Sequence, residues 1–379
     1  MKMIQKQYIS SAWHDIRVDE GFSKAQLVIV FGAKEQLRDK DRYQEIRGMF
    51  PDGFTVFCTT AGEILNTKVY DDTICITAIE FKSSHVESYQ MTIERAEDSI
   101  PFGQQLGEKL TKDGLRHVMI FMDGQIINAD DIMHGIQSAL PESVAVTGGL
   151  AGGGLTFAET FVGLNEFPEK NKAIVIGFYG ENLAIGHGSV GGWDAFGVSR
   201  LVTKSKDNIV YELDHKPVLD IYKEYLGDQA KDLPVSGLFF PLSVKLPDSD
   251  NLVVRTMMDI NELDKSVRFA GNIPEGSYAQ LMKANINRLI EGAQDAAKMG
   301  LTLLPDHKAQ LAILINCFGR RLIFRQRTEE EVEEVCGIFG SDCFTTGFYS
   351  YGEITPDSAI TYKCQLQNQT MTITTLNEK

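Results

Sequence analysis

No run of apolar residues approaches the roughly 20 positions that cross a bilayer, and the first residues, Met1-Lys-Met-Ile-Gln-Lys-Gln-Tyr8, lead into polar and charged positions with no apolar core of signal-peptide length. These absences predict a cytoplasmic protein with no membrane insertion. The six cysteines, Cys58, Cys75, Cys317, Cys336, Cys343 and Cys364, include no Cys-x-x-Cys pair and no Cys-x-x-Cys-His haem attachment, so reduced, buried thiols are expected. Positive charge is short: 37 Lys and Arg stand against 52 Asp and Glu, a net charge of -15. Phosphate backbones need a concentrated basic surface, which excludes nucleic acid as a partner. Two familiar hydrolytic signatures are also missing, the Gly-x-Ser-x-Gly elbow and the His-Glu-x-x-His helix.

What is present is globular in character. The 379 residues, 43% of them hydrophobic, exceed what one core usually supports and predict two domains. The most conspicuous stretch is Val144-Ala-Val-Thr-Gly-Gly-Leu-Ala-Gly-Gly-Gly154, in which glycines crowd the second half. Glycine at this density permits close backbone approach or positive φ. A phosphate loop would need a Walker lysine or the Gly-x-Gly-x-x-Gly spacing, and neither is there. The residues that follow, Leu155-Thr-Phe-Ala-Glu-Thr-Phe-Val162, alternate with period two and read as a strand, so no helix N-terminus is offered to a phosphate. A tight crossing between strands is the expected structure.

Patterning along the chain suggests one unit used three times. Gln26–Gly32 is a buried strand, 41–50 has helical spacing, and Phe54–Thr60 is a second strand before Gly62-Glu-Ile64. Strands at 67–70 and 73–81 would form a hairpin about Asp71-Asp72. His117–Met122, a helix over 130–140 and Val144–Thr147 repeat the grammar, with a hairpin from 156–163 and 173–179. Leu311–Phe318, a helix over 328–339 with a Thr328/Glu331 capping box, and Cys343–Gly347 repeat it again; 369–375 is the last strand. The first and third copies share Thr-Thr followed by Gly-Glu-Ile, at Thr59/Thr60 and Thr345/Thr346. Between the second and third copies, 211–226 and 277–299 read as helices and 252–257 as a strand. The expected fold is mixed α/β (α+β), two domains with largely antiparallel or mixed sheets flanked by helices and an internal strand-helix-strand-hairpin repeat. The domains are placed at 25–226 and 227–379.

Several ordered stretches resemble the FIST sensory proteins (F-box and intracellular signal transduction), with an N-terminal FIST domain and a FIST C-terminal domain. They are Thr147–Gly153, Gly188–Gly197, Val210–Asp214 with Leu219–Tyr222, Gly271–Gly276, Gly319-Arg320, Gly347–Ile354 and Asn368–Thr370. The resemblance implies a cytoplasmic sensor of a small, amino-acid-like ligand, working through a histidine kinase, chemoreceptor or cyclic-dinucleotide enzyme. A homodimer is compatible with that role. One branch of the family binds haem and senses nitric oxide, with His immediately before Asn-Gln-Thr. Here Gln367 stands in that place, and an amide oxygen is a poor iron ligand beside imidazole. No cofactor is therefore expected, and haem-based sensing is kept as the alternative.

Candidate ligand contacts follow from residue chemistry. Gly148, Gly149, Gly152 and Gly153 would floor a pocket near the domain interface. Tyr351 and Glu353 form a glycine-flanked segment whose carboxylate suits an ammonium, the bland alternative being an exposed acidic turn. Arg255, within an apolar strand, needs a carboxylate from a ligand or from an internal ion pair. Arg320 and Arg321 could clamp a carboxylate or stay solvated. Gln367 and Asn368 offer donors and acceptors. Trp193 among glycines could stack on a ligand or pack on bare backbone. His187 reads as a core or solvated histidine and Cys317 as an inert core thiol. The expected protein is non-enzymatic with no catalytic or metal-binding residues; a small-molecule hydrolase or transferase, or a scaffold for a kinase, are the competing classes.

Overall fold

The long apolar runs become strands buried on both faces, Leu27–Gly32 and Leu311–Cys317 among them, as sheets covered on two sides require. A computed structural model describes the chain apart from Ile127 and positions 155–158, 248–251 and 357–361; the side chain of Ala96 is likewise outside the description.

Three six-stranded sheets share one plan. In each, two parallel strands lie side by side, and a third runs antiparallel on the far side of the first. The triples are Leu27–Gly32 with Phe54–Thr59 and Ile74–Glu80, Leu115–Met122 with Ala145–Leu150 and Lys172–Tyr179, and Leu311–Cys317 with Phe344–Ser350 and Met371–Glu378. Parallel neighbours cannot be joined by a tight turn, and the helices Lys40–Met49, Ala129–Ser138 and Thr328–Phe339 fill the connections. The internal repeat is thus a property of the fold.

The hairpins expected within each copy are replaced by exchange between copies. Glu63–Leu65 pairs with Phe344–Ser350 in the third sheet, Val162–Leu164 with Phe54–Thr59 in the first, and Gly352–Pro356 with Ala145–Leu150 in the second. Asp71-Asp72 therefore links two sheets, and the hairpin there is Glu63–Leu65 with Lys68–Tyr70. Lys172–Tyr179 does not pair with Val162–Leu164; its partners are Leu115–Met122 and His85–Thr92. Of the strand expected to leave the glycine stretch, positions 155–158 lie outside the described residues. Lys2–Ile9 completes the first sheet against Ile74–Glu80. Strands before and after residue 227 consequently share sheets, as Leu183–Val190 does with Met371–Glu378.

The inner faces of all three sheets meet in one apolar cluster. Phe31, Phe121 and Phe348, one from each sheet, stand with ring centroids 5.8, 4.7 and 6.2 Å apart. Each fully buried side chain of this kind contributes roughly 1.5–3 kcal/mol by leaving water. Helices cover the outer faces, Ile132, Met133 and Ile136 packing on the second sheet and Val332 and Val335 on the third.

Between the second and third repeats the chain builds a separate antiparallel sheet from Asp194 to Lys283, closed over its own core by the helix Val218–Leu226. The protein is therefore a two-domain mixed α/β structure with open sheets. Three local expectations change here. The helix expected from 211 begins at Val218, because Ile209–Leu213 is a strand and Pro217 is the N-cap. The helix expected from Ser277 is preceded by a strand, Tyr278–Lys283, whose buried residues Ala279 and Leu281 alternate; the helix Ile286–Thr302 starts after Asn285, whose side chain accepts from Arg288 N. Thr328 and Glu331 form no capping box, since Glu331 turns inward to Arg320 and Asn316.

Candidate functional site

A cavity of about 730 Å3 opens between the second sheet and the inserted unit, within the size range of small-molecule sites. The repeat body contributes Gly124–Ile126, Asn128–Asp130, Leu150, Tyr351 and Leu366, and the insert contributes Asp207, Asn208, Leu238, Met257, Met258 and Phe269 among others. The location follows from topology. Leu115–Met122 and Ala145–Leu150 are parallel, and their carboxyl ends open beside a strand that arrives from another repeat, the kind of crevice in which α/β sheets receive ligands.

The loop after Met122 is held by Asp123. Its carboxylate accepts from Gln125 N at 3.1 Å and Asn171 N at 2.6 Å, and from the Thr160 hydroxyl. Gly124 donates to Thr160 Oγ1 at 2.8 Å, and a Cβ there would strike the Ala151 carbonyl oxygen. Asn128, at φ 49°, caps the helix Ala129–Ser138 by accepting from Asp131 N. Asp130 and Asp131 thereby stand at the cavity edge.

The insert is latched at this edge by Arg255. Its Nη2 lies 3.6 Å from Asp130 Oδ2, its Nη1 donates to Leu366 O at 2.7 Å and its Nε to Asn272 O at 3.1 Å. Asn272 closes the circuit, donating from its backbone N to Asp130 and from its side chain to Asp131, each at 3.4 Å. Burial lowers the Arg255 pKa, and Asp130 opposes that shift. The partner of Arg255 is thus an internal carboxylate.

The other singled-out residues are distributed more widely. Tyr351 lines the cavity, its hydroxyl donating to Gly154 O at 3.0 Å; burial pushes its phenol up to about 12. Glu353 is neither on an exposed turn nor in the cavity. It is fully buried, accepting from Ser350 Oγ at 2.7 Å, from Thr370 N at 3.2 Å and from Thr370 Oγ1 at 3.0 Å. Burial raises its pKa to about 8 against those hydrogen bonds. Arg320 is fully buried, paired with Glu331 and bonded to the carbonyls of Gly191, Leu289 and Gln369; Arg321 makes a bidentate pair with Asp71. Trp193 packs with Leu289, Ile323 and Phe324 and donates to Gln369 O at 2.9 Å.

Gln367 and Asn368 are buried and receive backbone N–H groups of the insert, Val254 N and Thr256 N, each at 3.4 Å. They join the two units beside the latch. Gly148 and Gly149 lie in the second sheet, where a Cβ would strike Ile120 O in the first instance and approach Ile315 Cγ2 to 2.6 Å in the second. Gly152 abuts the Thr60-Ala61 backbone and Gly153 is buried beside it. Gly149 and Gly152 serve contact between repeats, Gly148 serves close approach to the next strand of its own sheet, and the cavity begins at their neighbour Leu150. His187 is buried, and burial lowers its pKa to about 4; the Cys317 thiol is raised well above its ordinary value by burial.

Sequence patterning missed the insert's contribution, Asp207, Asn208, Leu238, Met257, Met258 and Phe269. The turn Gly271–Gly276 and the strand over 252–257, which ends on Met257, are the local signals nearby. Among the described residues, no group of three or more His, Cys, Asp or Glu is placed to hold a metal ion, and no helix is long and apolar enough to cross a membrane.

Two family models match this chain, the FIST N domain over residues 26–216 and the FIST C domain over residues 219–356. FIST domains have a sensory, signal-transduction role. A protein of Methanocaldococcus jannaschii, described only as uncharacterized, is 26% identical over 195 residues. That match takes in 48% of this chain and 35% of the relative, so the chain spans about a third of the relative's length.

Proposed function

This chain belongs to the FIST family, and on that premise we propose that it is a non-enzymatic cytoplasmic sensor whose small ligand enters the cavity between the repeat body and the insert. The observation that carries the reading is the latch at the cavity edge. Arg255, Asp130 and Asn272 bond the two units through groups that line or border the cavity. A ligand that prefers one spacing of the units shifts their arrangement by its differential affinity for the two states. The output would pass to a separate signalling protein, a histidine kinase, chemoreceptor or cyclic-dinucleotide enzyme. An amino-acid-like ligand is the class suggested by the family resemblance.

A thermal-shift screen with amino acids, nucleotides, organic amines and haemin tests this, because a ligand of the folded state raises its apparent stability. Ala270→Trp, which fills the cavity from a partly exposed lining position, should abolish the shift. A ligand whose shift survives Ala270→Trp binds elsewhere and overturns the assignment. A stoichiometric Soret band with haemin would restore the haem-sensing alternative, and turnover of a screened compound would move the protein to the enzyme class.

A further inference from the structure

The charge inventory of the cavity narrows the ligand class, given that the cavity is the ligand site as proposed above. Its charged lining residues are Asp130, Asp207 and Arg268. Asp130 is matched by Arg255, and Arg268 lies 3.5 Å from Asp259. Asp207 has no cation within ion-pair reach among the described residues, and its carboxylate acts on Asp131: burial raises the Asp131 pKa, with Asp130 and Asp207 adding to the rise. An anionic ligand would therefore meet an uncompensated negative charge. A zwitterionic amino acid would bring a carboxylate for which the lining offers only Arg268, already engaged.

The remaining wall is mixed, with Gln125, Asn128, Asn208 and Asn272 on it and an apolar side formed by Pro234, Val235, Met258 and Ala270. Val235 is exposed and Pro234, Met258 and Ala270 are half-buried, while Met257, Phe269 and Leu238 lie buried behind them. Methionine side chains adapt to the outline of a flexible apolar body. The volume of about 730 Å3 is generous for a free amino acid and suits a longer molecule.

We infer that the cavity takes an organic amine with a predominantly apolar body, its ammonium meeting Asp207 and its chain lying on Met258, Val235, Pro234 and Ala270. Asp207 stands at φ 53° on the turn between Arg200–Lys206 and Ile209–Leu213, a conformation that asparagine accepts as readily as aspartate. The carboxylate can therefore be neutralised without straining the turn.

The test is isothermal titration of the full chain with octylamine, octan-1-ol and octanoate, which share a chain and differ in head group, and with butane-1,4-diamine, which has the charge without the chain. Octylamine should bind about tenfold more tightly than octan-1-ol, the order expected of a charge-assisted hydrogen bond, with octanoate and the diamine weaker than either. Asp207→Asn should bring octylamine to the level of octan-1-ol and leave the melting temperature of the free protein unchanged. The inference is overturned if octanoate matches octylamine, if the amine preference survives Asp207→Asn, or if octylamine does not bind. Octanoate binding that Ala270→Trp still abolishes would remove the amine while keeping the cavity as the site; binding of any probe undiminished by Ala270→Trp would remove both.

Discussion

The first and third repeats close the carboxyl ends of their parallel strands in the same way, and the second does not. In the first, Glu63 accepts from the Thr60 hydroxyl, from Thr73 N at 3.2 Å and from Thr73 Oγ1 at 2.7 Å. In the third, Glu353 accepts from Ser350 and twice from Thr370. Register makes these sets equivalent: Ile74 and Met371, which follow the two threonines, pair with Gly32 and Asn316 at matching ends of the central strands. The second repeat has Val162 where the carboxylates stand, opposite Cys58 as Glu63 is opposite Phe348, and Lys172 in place of the threonine. The loop after its strand Leu115–Met122 is pinned instead by Asp123 and borders the cavity. A buried polar knot seals the first and third repeats, and the second, which lacks it, borders the cavity.

The largest effect should come from removing what the repeats share. Phe348→Ala should cost about 3–5 kcal/mol, the usual range for a buried aromatic, read as a lowered urea midpoint. A single transition is expected, whereas a separate early transition of one sheet would break the view of the repeats as one cooperative body. The knots give the next effect. Burial raises Glu63 to about 7 and Glu353 to about 8 from 4.5, so the folded chain holds protons that the unfolded chain releases. Their stabilisation is full below about pH 4.5 and is lost as pH rises through 7 and then 8. Unfolding measured at several pH values should show this slope, on the order of a few kcal/mol, and Glu63→Gln with Glu353→Gln should flatten it; an unchanged slope would assign it to other groups.

Gly149→Val drives a side chain toward Ile315 and Gly352 O and should destabilise by about 1–3 kcal/mol, as overpacking does, while cavity ligands bind as before. Loss of ligand at retained stability would tie the glycines to the site after all. Tyr351→Phe is the mildest change. Losing the bond to Gly154 O should cost about 0.5–1.5 kcal/mol, visible as a small fall in melting temperature.

Much of the fold is legible in the sequence because central strands buried on both faces declare themselves as apolar runs, and the repeat follows from their spacing. Strand exchange is not legible: the alternation of Val162–Leu164 or Gly352–Pro356 records which face is buried and nothing about which distant strand supplies the hydrogen bonds. The shared Gly-Glu-Ile at 62–64 and 352–354 is a true equivalence, but the shared Thr-Thr is not, since Thr345 stands where Thr55 does in the register and Ser350 takes the place of Thr60. Tyr278–Lys283 reads as helix because Leu281 and Met282 continue the spacing of the helix after them. Glu331 has the spacing of a cap, and its real partner, Arg320, belongs to the preceding helix. Of the candidate contacts named from residue type, Tyr351 lines the cavity and Arg255 stands at its edge, while the wall contributed by the insert depends on a contact between units that no local pattern encodes.

The cyclic exchange of strands also sets how this molecule can come into being. No repeat owns a whole sheet: the third needs Glu63–Leu65 from the first and Leu183–Val190 from the second before its centre is covered. Each closure ties residues far apart along the chain, as Glu63 with Phe348 and Val190 with Met371, and such non-local pairing is slow because the loop entropy is lost before the contacts form. During synthesis the early sheets would wait with open edges for strands not yet made, so the chain should depend on protection from aggregation until Met371–Glu378 takes its place between Leu183–Val190 and Leu311–Cys317.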